Sequence, residues 1–405
     1  MTHEGDLDSV RGLDPTGHEF ATQRPAIKRM GLCSASGCQW RSAPAESDVD
    51  GEGRSDLVSI HTDGDAHVFA GKATGIEVAG STKSLPGAVD PALLDGTGRY
   101  VVDSTDATGD GRSDLITMGH DGGVFVNPGR ADRSFGAAVE SLPEKEPNLD
   151  GGGGLEPVAV GDVDGDGLGD LVSFFPSALL PSTEVHLARG DGSFELGVVT
   201  LLSSGTNSAL FDQSGHYFLD AVDVDGDERA DLVSMHTDGT AYVFKGKADG
   251  SFEAASQAAS IDPVMDDGEG QEPVGLADLT GDERADLLTL DGQTLKLWAG
   301  RFDGSFAAAS QPYEGTIDSA LLDGSGEELI GLLDYSRDGR ADLVSLDAEG
   351  DLLAYEAQAG GALAAPVTHE GAISSVSHSS EGHEFASQKP LLRRAGCSAE
   401  GCELP

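Results

Sequence analysis

Residues 162–171 read DVDGDGLGDL, which places Asp162, Asp164, Asp166 and Asp170 at positions 1, 3, 5 and 9 of a glycine-rich loop. Carboxylates this close repel one another unless a cation sits among them. Hard oxygen ligands at alternate positions of a tight glycine turn suit Ca²⁺. The loop occurs six times, with position 1 at Asp48, Asp106, Asp162, Asp223, Asp278 and Asp334. Position 9 is Asp in every copy (Asp56, Asp114, Asp170, Asp231, Asp286, Asp342) and Leu always follows it. Position 5 is acidic throughout, as Glu52, Asp110, Asp166, Asp227, Asp282 and Asp338, whereas position 3 varies as Asp50, Thr108, Asp164, Asp225, Thr280 and Ser336. Position 7 would add a backbone carbonyl, from Arg54, Arg112, Leu168, Arg229, Arg284 or Arg340. An EF-hand needs Glu at position 12 and helical flanks. Position 12 here is Ser or Thr, and the flanks alternate like strands. Mg²⁺ suits such a cage less well, because it sheds water reluctantly.

The copies are unequal. The loops at 162–170 and 223–231 have four carboxylates, and the first has Glu52 in place of Asp. Thr108, Thr280 and Ser336 should weaken the second, fifth and sixth, and Arg337 replaces the usual glycine at position 4 of the sixth.

Successive loops lie 55 to 61 residues apart, a period that points to stacked supersecondary units. After each loop comes a strand such as DLVSIHT (56–62) or DLVSMHT (231–237), an Asp-Gly turn, and a second strand such as AHVFAGK (66–72) or TLKLWAG (294–300). A further turn leads to Phe135, Phe194, Phe252 or Phe306 and a third short strand, and a box such as SALFDQSGHYFLDAVD (208–223) carries a strand into the next loop. Four short strands per unit, with Asp-Gly turns and no sustained 3.6-residue period, predict an all-β chain with almost no helix. The expected fold is one β-propeller of four-stranded antiparallel blades over 1–405, with six loop repeats in 41–366.

Residues 2–38 and 368–402 are the same segment twice, each with THEG, GHEF (17–20 and 382–385) and a CSAxGC motif. The expectation is seven blades, the seventh assembled from 1–40 and 367–405, with the two GHEF strands and the two Cys hairpins side by side. Six blades with the ends as appendages is the alternative. It draws on the 366-residue spacing of His3 and His369, which encloses six loops.

Repeats of the form DxDGDGxxDL followed by strands resemble the FG-GAP/VCBS repeats of integrin α-chain propellers and of many bacterial surface and secreted proteins. The resemblance covers about residues 45–366 and excludes the Cys-bearing ends. It implies a β-propeller with a Ca²⁺ loop between adjacent strands of each blade.

The chain carries 25 Lys+Arg against 71 Asp+Glu, a net charge of −46. That excludes a broad basic footprint for nucleic acid and disfavours anionic membranes. No 18-residue apolar run exists, and MTHEGDLDSV shows neither region of a signal peptide. Cys33/Cys38 and Cys397/Cys402 each suit a hairpin disulfide and hence an oxidising compartment; one four-thiolate Zn²⁺ site or free thiols are the alternatives. Arg189-Gly190-Asp191 reads as a turn variant, and His61, His120 and His236 read as repeat ancestry. Trp298 fills the core place of Phe69 and Phe244, and Trp40 belongs to the first Cys hairpin. No GxSxG, HExxH, Walker A or dinucleotide fingerprint occurs. The expectation is therefore a non-enzymatic, extracellular or cell-surface module for glycan or protein ligands. The alternatives are a spacer in a larger tandem-repeat or toxin-like protein, or a polysaccharide lyase or hydrolase.

Overall fold

The computed structural model describes residues 32–34, 37–39, 47–61, 65–77, 82–85, 99–119, 123–142, 156–175, 181–202, 216–236, 239–261, 271–317, 328–347, 349–370 and 383–385. Every regular element among them is a strand. No helix there is long and apolar enough to cross a membrane.

The repeat unit is a meander hung on the loop. In the second sheet Arg99–Thr105 runs into the loop, Asp114–Gly119 leaves it, and Val124–Asn127 and Val139–Glu140 complete four antiparallel strands. The third (Glu156–Gly161, Asp170–Phe175, Ser182–His186, Val198–Leu201) and the fourth (His216–Val222, Asp231–His236, Thr240–Phe244, Ser256–Ser260) repeat it. The sixth has Glu328–Leu333, Asp342–Leu346, Leu352–Tyr355 and Val367–His369. The fifth has three strands, Gln271–Ala277, Asp286–Asp291 and Thr294–Trp298. Ser310 forms a single bridge to Leu297 on its outer edge. The first sheet takes its entering-edge strand from the far end of the chain: His383–Phe385 pairs with Leu57–His61, followed by Ala66–Phe69 and Thr82–Leu85.

The molecule is thus an all-β propeller in which, among the described residues, five blades are complete four-stranded antiparallel sheets. Among the described residues neither seven nor six complete blades are formed. The seventh-blade expectation fails for a definite reason: Val367–His369 is the outer strand of the sixth sheet, and His383–Phe385 is an edge strand of the first. Those residues belong to sheets that carry two of the six acidic loops. The N-terminal GHEF at 17–20, Trp40, His120 and the pair Cys397/Cys402 lie outside the described residues. Leu32–Ser34 and Gly37–Gln39 do pair as a hairpin that sets Cys33 opposite Cys38. No disulfide is described.

The apolar core lies between the sheets. Leu57, Phe69 and Ile76 of the first unit pack with Ile330, Val344 and Leu352 of the sixth. Val102 and Ile116 pack with Val160 and Leu171, Val172 and Phe174 with Phe218 and Leu232, and Val233 with Leu287 and Leu343. The third short strand expected at the Phe residues is reduced to single bridges, Phe135 to Gly129, Phe194 to Ala188, Phe252 to Gly246 and Phe306 to Gly300. All four rings are buried plugs. Trp298 stands opposite Leu287 as Phe69 does opposite Leu57, half-buried, with its indole N–H on Thr289 Oγ1 at 3.1 Å.

The first and sixth units meet without chain continuity, and side chains bridge the gap. Arg337 Nη1 donates to the Glu52 carbonyl at 2.7 Å, and Arg54 Nη1 donates to the carbonyls of Tyr335 and Ser336. Arg337 holds φ at +61°, a left-handed conformation that strains any residue with a Cβ. Arg337→Ala keeps that strain and loses the bridge, so it should destabilise by about 1 kcal/mol. Arg337→Gly loses the bridge but relieves a strain of ~1 kcal/mol and should be nearly neutral. Thermal melts of the two variants check this; an Ala variant as stable as the Gly variant is the contrary result.

Candidate metal centres

Each loop folds around its own first aspartate. In the third, Asp162 Oδ1 accepts the N–H groups of Gly165 and Asp166 (2.8 and 3.0 Å), and Oδ2 accepts that of Gly167 (2.8 Å). The same three-donor cradle surrounds Asp48, Asp106, Asp223, Asp278 and Asp334. Turning so tightly needs left-handed residues at positions 4 and 6. Glycines supply most of them, and Glu228, Glu283 and Arg337 are the exceptions.

Position 9 closes the loop from beneath. All six of these aspartates are at most 1 % exposed. Asp170 Oδ2 accepts the N–H of Val163 at 3.0 Å, and Oδ1 accepts that of Ala188, beyond the next strand, at 2.9 Å. Asp56, Asp114, Asp231, Asp286 and Asp342 each take the equivalent later N–H, from Gly71, Gly129, Gly246, Gly300 and Ala357. Burial outweighs these bonds and pushes the carboxyls up: Asp114 and Asp286 to about 6, Asp56 and Asp231 to about 7, Asp170 and Asp342 to about 8.

Carboxylates of positions 1, 3 and 9 come within 4.8 Å of one another in three loops: Asp48/Asp50/Asp56, Asp162/Asp164/Asp170 and Asp223/Asp225/Asp231. In the other three, Thr108, Thr280 and Ser336 hold their hydroxyls 3.4 Å from Asp114, Asp278 and Asp334 and donate to them. The first loop therefore joins the third and fourth in spite of Glu52, because position 5 stands outside the cluster. Asp110, Asp227, Asp282 and Asp338 instead pair with the guanidinium groups of Arg112, Arg229, Arg284 and Arg340 at position 7. Those same arginines reach the carbonyls of Gly129, Gly246, Gly300 and Ala357 through Nε. The sequence reading treated position 7 only as a backbone ligand and missed this role of its side chain.

Three observations fit a cation in the three-acid loops. Asp225 has its side chain 8 % exposed, and its Oδ1 lacks a hydrogen-bond partner. Its Oδ2 meets Lys245 Nζ at 2.6 Å, and Asp50 Oδ2 meets Arg133 Nε at 3.5 Å, so a protein cation already attends position 3 in two of these loops. Asp164 has no such attendant among the described residues, and burial, then Asp166 and Asp162, raises its carboxyl.

The loops also surround a cavity of about 540 Å³, lined by Asp106, Asp162, Asp223, Asp278 and Asp334 together with Arg229, Arg284 and Arg340. A smaller cavity of about 310 Å³ lies beside Asp48, Arg54 and Arg112. Arg284, which lines the cavity, holds its guanidinium 4.1 Å from the centre of the Phe302 ring, and Phe302 is 76 % exposed. Sequence reasoning passed over Phe302. The available signal was GRFDGSF at 300–306, where a sister turn reads GKADGSF with Ala248.

Residues 223–289 match the FG-GAP-like repeat family. The chain is thus a β-propeller in which residues 223–289 are an FG-GAP-like repeat. Among solved structures it is similar to an Agrocybe aegerita lectin that recognises non-reducing terminal N-acetylglucosamine, at 18% identity over 84% of this chain and 83% of that one, TM-score 0.55. A Photorhabdus luminescens Tc holotoxin pore is similar at 19% identity over 78% and 13% of the two chains, TM-score 0.45. The Pseudomonas aeruginosa periplasmic gluconolactonase is similar at 16% identity over 82% and 99%, TM-score 0.42. No curated protein matches.

Raised position 9 carboxyls have a definite pH consequence without metal. An acid whose folded pKa exceeds its unfolded value near 3.9 stabilises the fold below that value, and loses the contribution as pH rises through the folded pKa. The metal-free protein should therefore melt higher at pH 5 than at pH 8, with the loss beginning near pH 4 and levelling off between about 6 and 8 as each group passes its folded pKa. A melting temperature in chelator that rises across that window would contradict the assignment.

Proposed function

We propose that the protein is a non-enzymatic, Ca²⁺-stabilised recognition module that binds a glycan or protein ligand at the loop face, outside the cell. The observation that carries this reading is the cavity where five loops converge. Its volume is in the range of small-ligand pockets, and its lining brings five aspartates of the loops together with Arg229, Arg284 and Arg340. Such a lining offers acceptors and fixed donors to a polyhydroxylated ligand. Phe302, exposed and stacked on the cavity-lining Arg284, offers an apolar platform for the face of a sugar ring. The fold similarity to a glycan-binding lectin supports the same class of ligand.

We read the three-stranded fifth sheet as the sixth blade of the ring, since it carries a full loop and packs between the fourth and sixth sheets. Calcium is the ion that an all-oxygen, mostly carboxylate site favours. Asp48, Asp50 and Asp56, and their counterparts in the third and fourth loops, would hold it and have their mutual repulsion offset.

Two measurements test this. Calcium titration by calorimetry should fill 162–170 first, because there no basic side chain attends Asp164, then 223–231 and 48–56, with 106–114, 278–286 and 334–342 weakest. Chelator should lower the melting temperature at pH 7.5. Equal occupancy of all six loops, or a melt indifferent to chelator, would overturn the calcium assignment. Separately, a glycan array should show ligands whose binding falls at least tenfold in Phe302→Ala and Arg284→Ala. A protein that binds no glycan, and whose protein partners ignore both substitutions, would sink the recognition reading.

A further inference from the structure

The outer strand of the third sheet departs from its sisters. Two residues beyond the plug phenylalanine, where the second, fourth and fifth units have Ala137, Ala254 and Ala308, the third has Leu196. Opposite Glu184 stands Val199, at the register place that holds Lys83, Glu140, Gln257 and Thr368 in the first, second, fourth and sixth sheets. Opposite Ser182 stands Leu201, where the fourth sheet has Ser260. Leu196, Val199 and Leu201 are 80, 58 and 65 % exposed, and they make up half of the exposed large apolar side chains among the described residues. Edge strands are ordinarily guarded by charged or polar side chains, as the sister sheets are. Val198–Leu201 carries no charge and turns apolar side chains to water.

The backbone faces outward at the same residues. Leu202 donates its N–H to the Pro181 carbonyl at 2.8 Å, so the pair 181/202 is hydrogen-bonded. Antiparallel pairs alternate, which makes Ser182/Leu201 and Glu184/Val199 the non-hydrogen-bonded pairs. Val199 and Leu201 therefore direct both N–H and C=O away from the sheet, and no described strand pairs on that side. The other face of the strand is taken: Thr200 Oγ1 accepts the N–H of Phe252, from the fourth unit, at 3.0 Å. What fits such an edge is an extended segment that pairs with the backbone and lays alternate apolar side chains against Val199 and Leu201.

Charge decides which segment. Residues 181–202 carry Glu184, Asp191 and Glu195 against Arg189 alone, and Arg189 Nε is already 3.4 Å from Glu195. The Glu184 side chain lies over Gly197, inside the apolar stripe, where a Cβ on that glycine would overlap it. His186 Nε2 stands 3.8 Å from the Glu184 carboxylate, too far for a hydrogen bond. A second copy of this chain would bring the same acids and another net charge of −46. Pairing through one strand of 4 residues would also bury far less than the roughly 1,200 Å² of a stable interface.

We infer that Val198–Leu201 is a docking edge for an extended segment of another protein, with apolar residues at alternate positions and a lysine or arginine at the end that meets Glu184 and Glu195. The segment adds a fifth strand to the third sheet. This edge is separate from the loop-face cavity, which none of the stripe residues lines.

The full-length protein is titrated, by fluorescence anisotropy, with two labelled peptides of alternating valine and threonine, one flanked by lysines and one by glutamates. The lysine peptide should bind with a micromolar dissociation constant, and the glutamate peptide at least tenfold more weakly. Val199→Thr with Leu201→Ser places the sister residues at both positions and leaves the charge unchanged. It should weaken the lysine peptide at least tenfold without shifting the melting temperature, whereas Phe302→Ala should leave binding intact. A lysine peptide N-methylated along its backbone keeps its charge but cannot pair, and should not bind. Equal binding by the double variant or of the N-methylated peptide overturns docking at this edge, as does no binding of either peptide. A glutamate peptide that binds as well overturns the basic partner. A dimer in ultracentrifugation that the double variant abolishes would assign the edge to a second copy and overturn the inference too.

Discussion

The ring hangs on one hydrogen bond repeated six times. The residue just before the position 9 aspartate donates its N–H to the carbonyl of the position 1 aspartate of the preceding loop. Ser113 donates to Asp48, Gly169 to Asp106, Ala230 to Asp162, Ala285 to Asp223 and Ala341 to Asp278, at 2.6 to 2.8 Å. Ser55 donates to Asp334 at 2.9 Å and closes the cycle across the break in the chain. A peptide group can make this bond only if the loop on each side is fully turned. The cradle around position 1 and the buried brace at position 9 are therefore preconditions of the ring, and each is made by a carboxylate. This explains why those two positions never vary among the copies, whereas position 3, which takes no part in the cycle, is Asp, Thr or Ser.

The same geometry creates the electrostatic problem that a metal would relieve. Twelve carboxylates are held in fixed places by backbone donors, six of them out of water. Backbone N–H groups lower a carboxyl pKa, yet burial wins at every position 9. The chain carries several internal remedies: an arginine at position 7 that neutralises position 5, a lysine or arginine beside Asp225 and Asp50, and hydroxyls in place of Asp in three loops. Only the third loop, with Leu168 at position 7, has none of them among the described residues. The acidity of the whole chain, at −46, therefore should not be read as one binding surface. Twelve of its 71 acids serve a turn design that needs carboxylates as hydrogen-bond acceptors.

Most of the fold was legible because the repeat was: six in-register loops, Asp-Gly turns and period-two strands leave little besides an all-β ring. The order of strands followed from the loop-to-strand spacing. Two things were not legible. Blade count depends on which edge the end segments cover. Chain arithmetic gave enough residues for a seventh blade but could not say that His383–Phe385 fits the register of Phe218. The site was half legible. Positions 1, 3 and 9 were recognisable as a cluster, but position 5 looked equivalent to them by alternation along the chain. The turn sends it to Arg112, Arg229, Arg284 or Arg340 instead, a side-chain contact two residues away that a ligand-spacing argument does not weigh. Phe302 was hidden for a different reason: it occupies an ordinary turn and stands out only by its exposure.

The cradle, the brace and the interloop bond pair the backbone donors of each turn. What a cation would add there is compensation of charge in the ionised state. Below the pKa of the buried acid a proton does that work; above it, a cation must, or the repulsion stands. Loops with Thr or Ser at position 3 need the cation least, since they contribute fewer charges and a hydroxyl donor besides. The ring therefore combines loops that a proton or a hydroxyl can hold with loops that call for a metal. Every loop shares its position 1 carbonyl with the next, so a cation in the third would steady the acceptor that the fourth requires. Chemically unequal loops are in this way bound into one structural cycle, so an ion held at the most demanding of them would reach its neighbour through the interloop hydrogen bond as well as through its field.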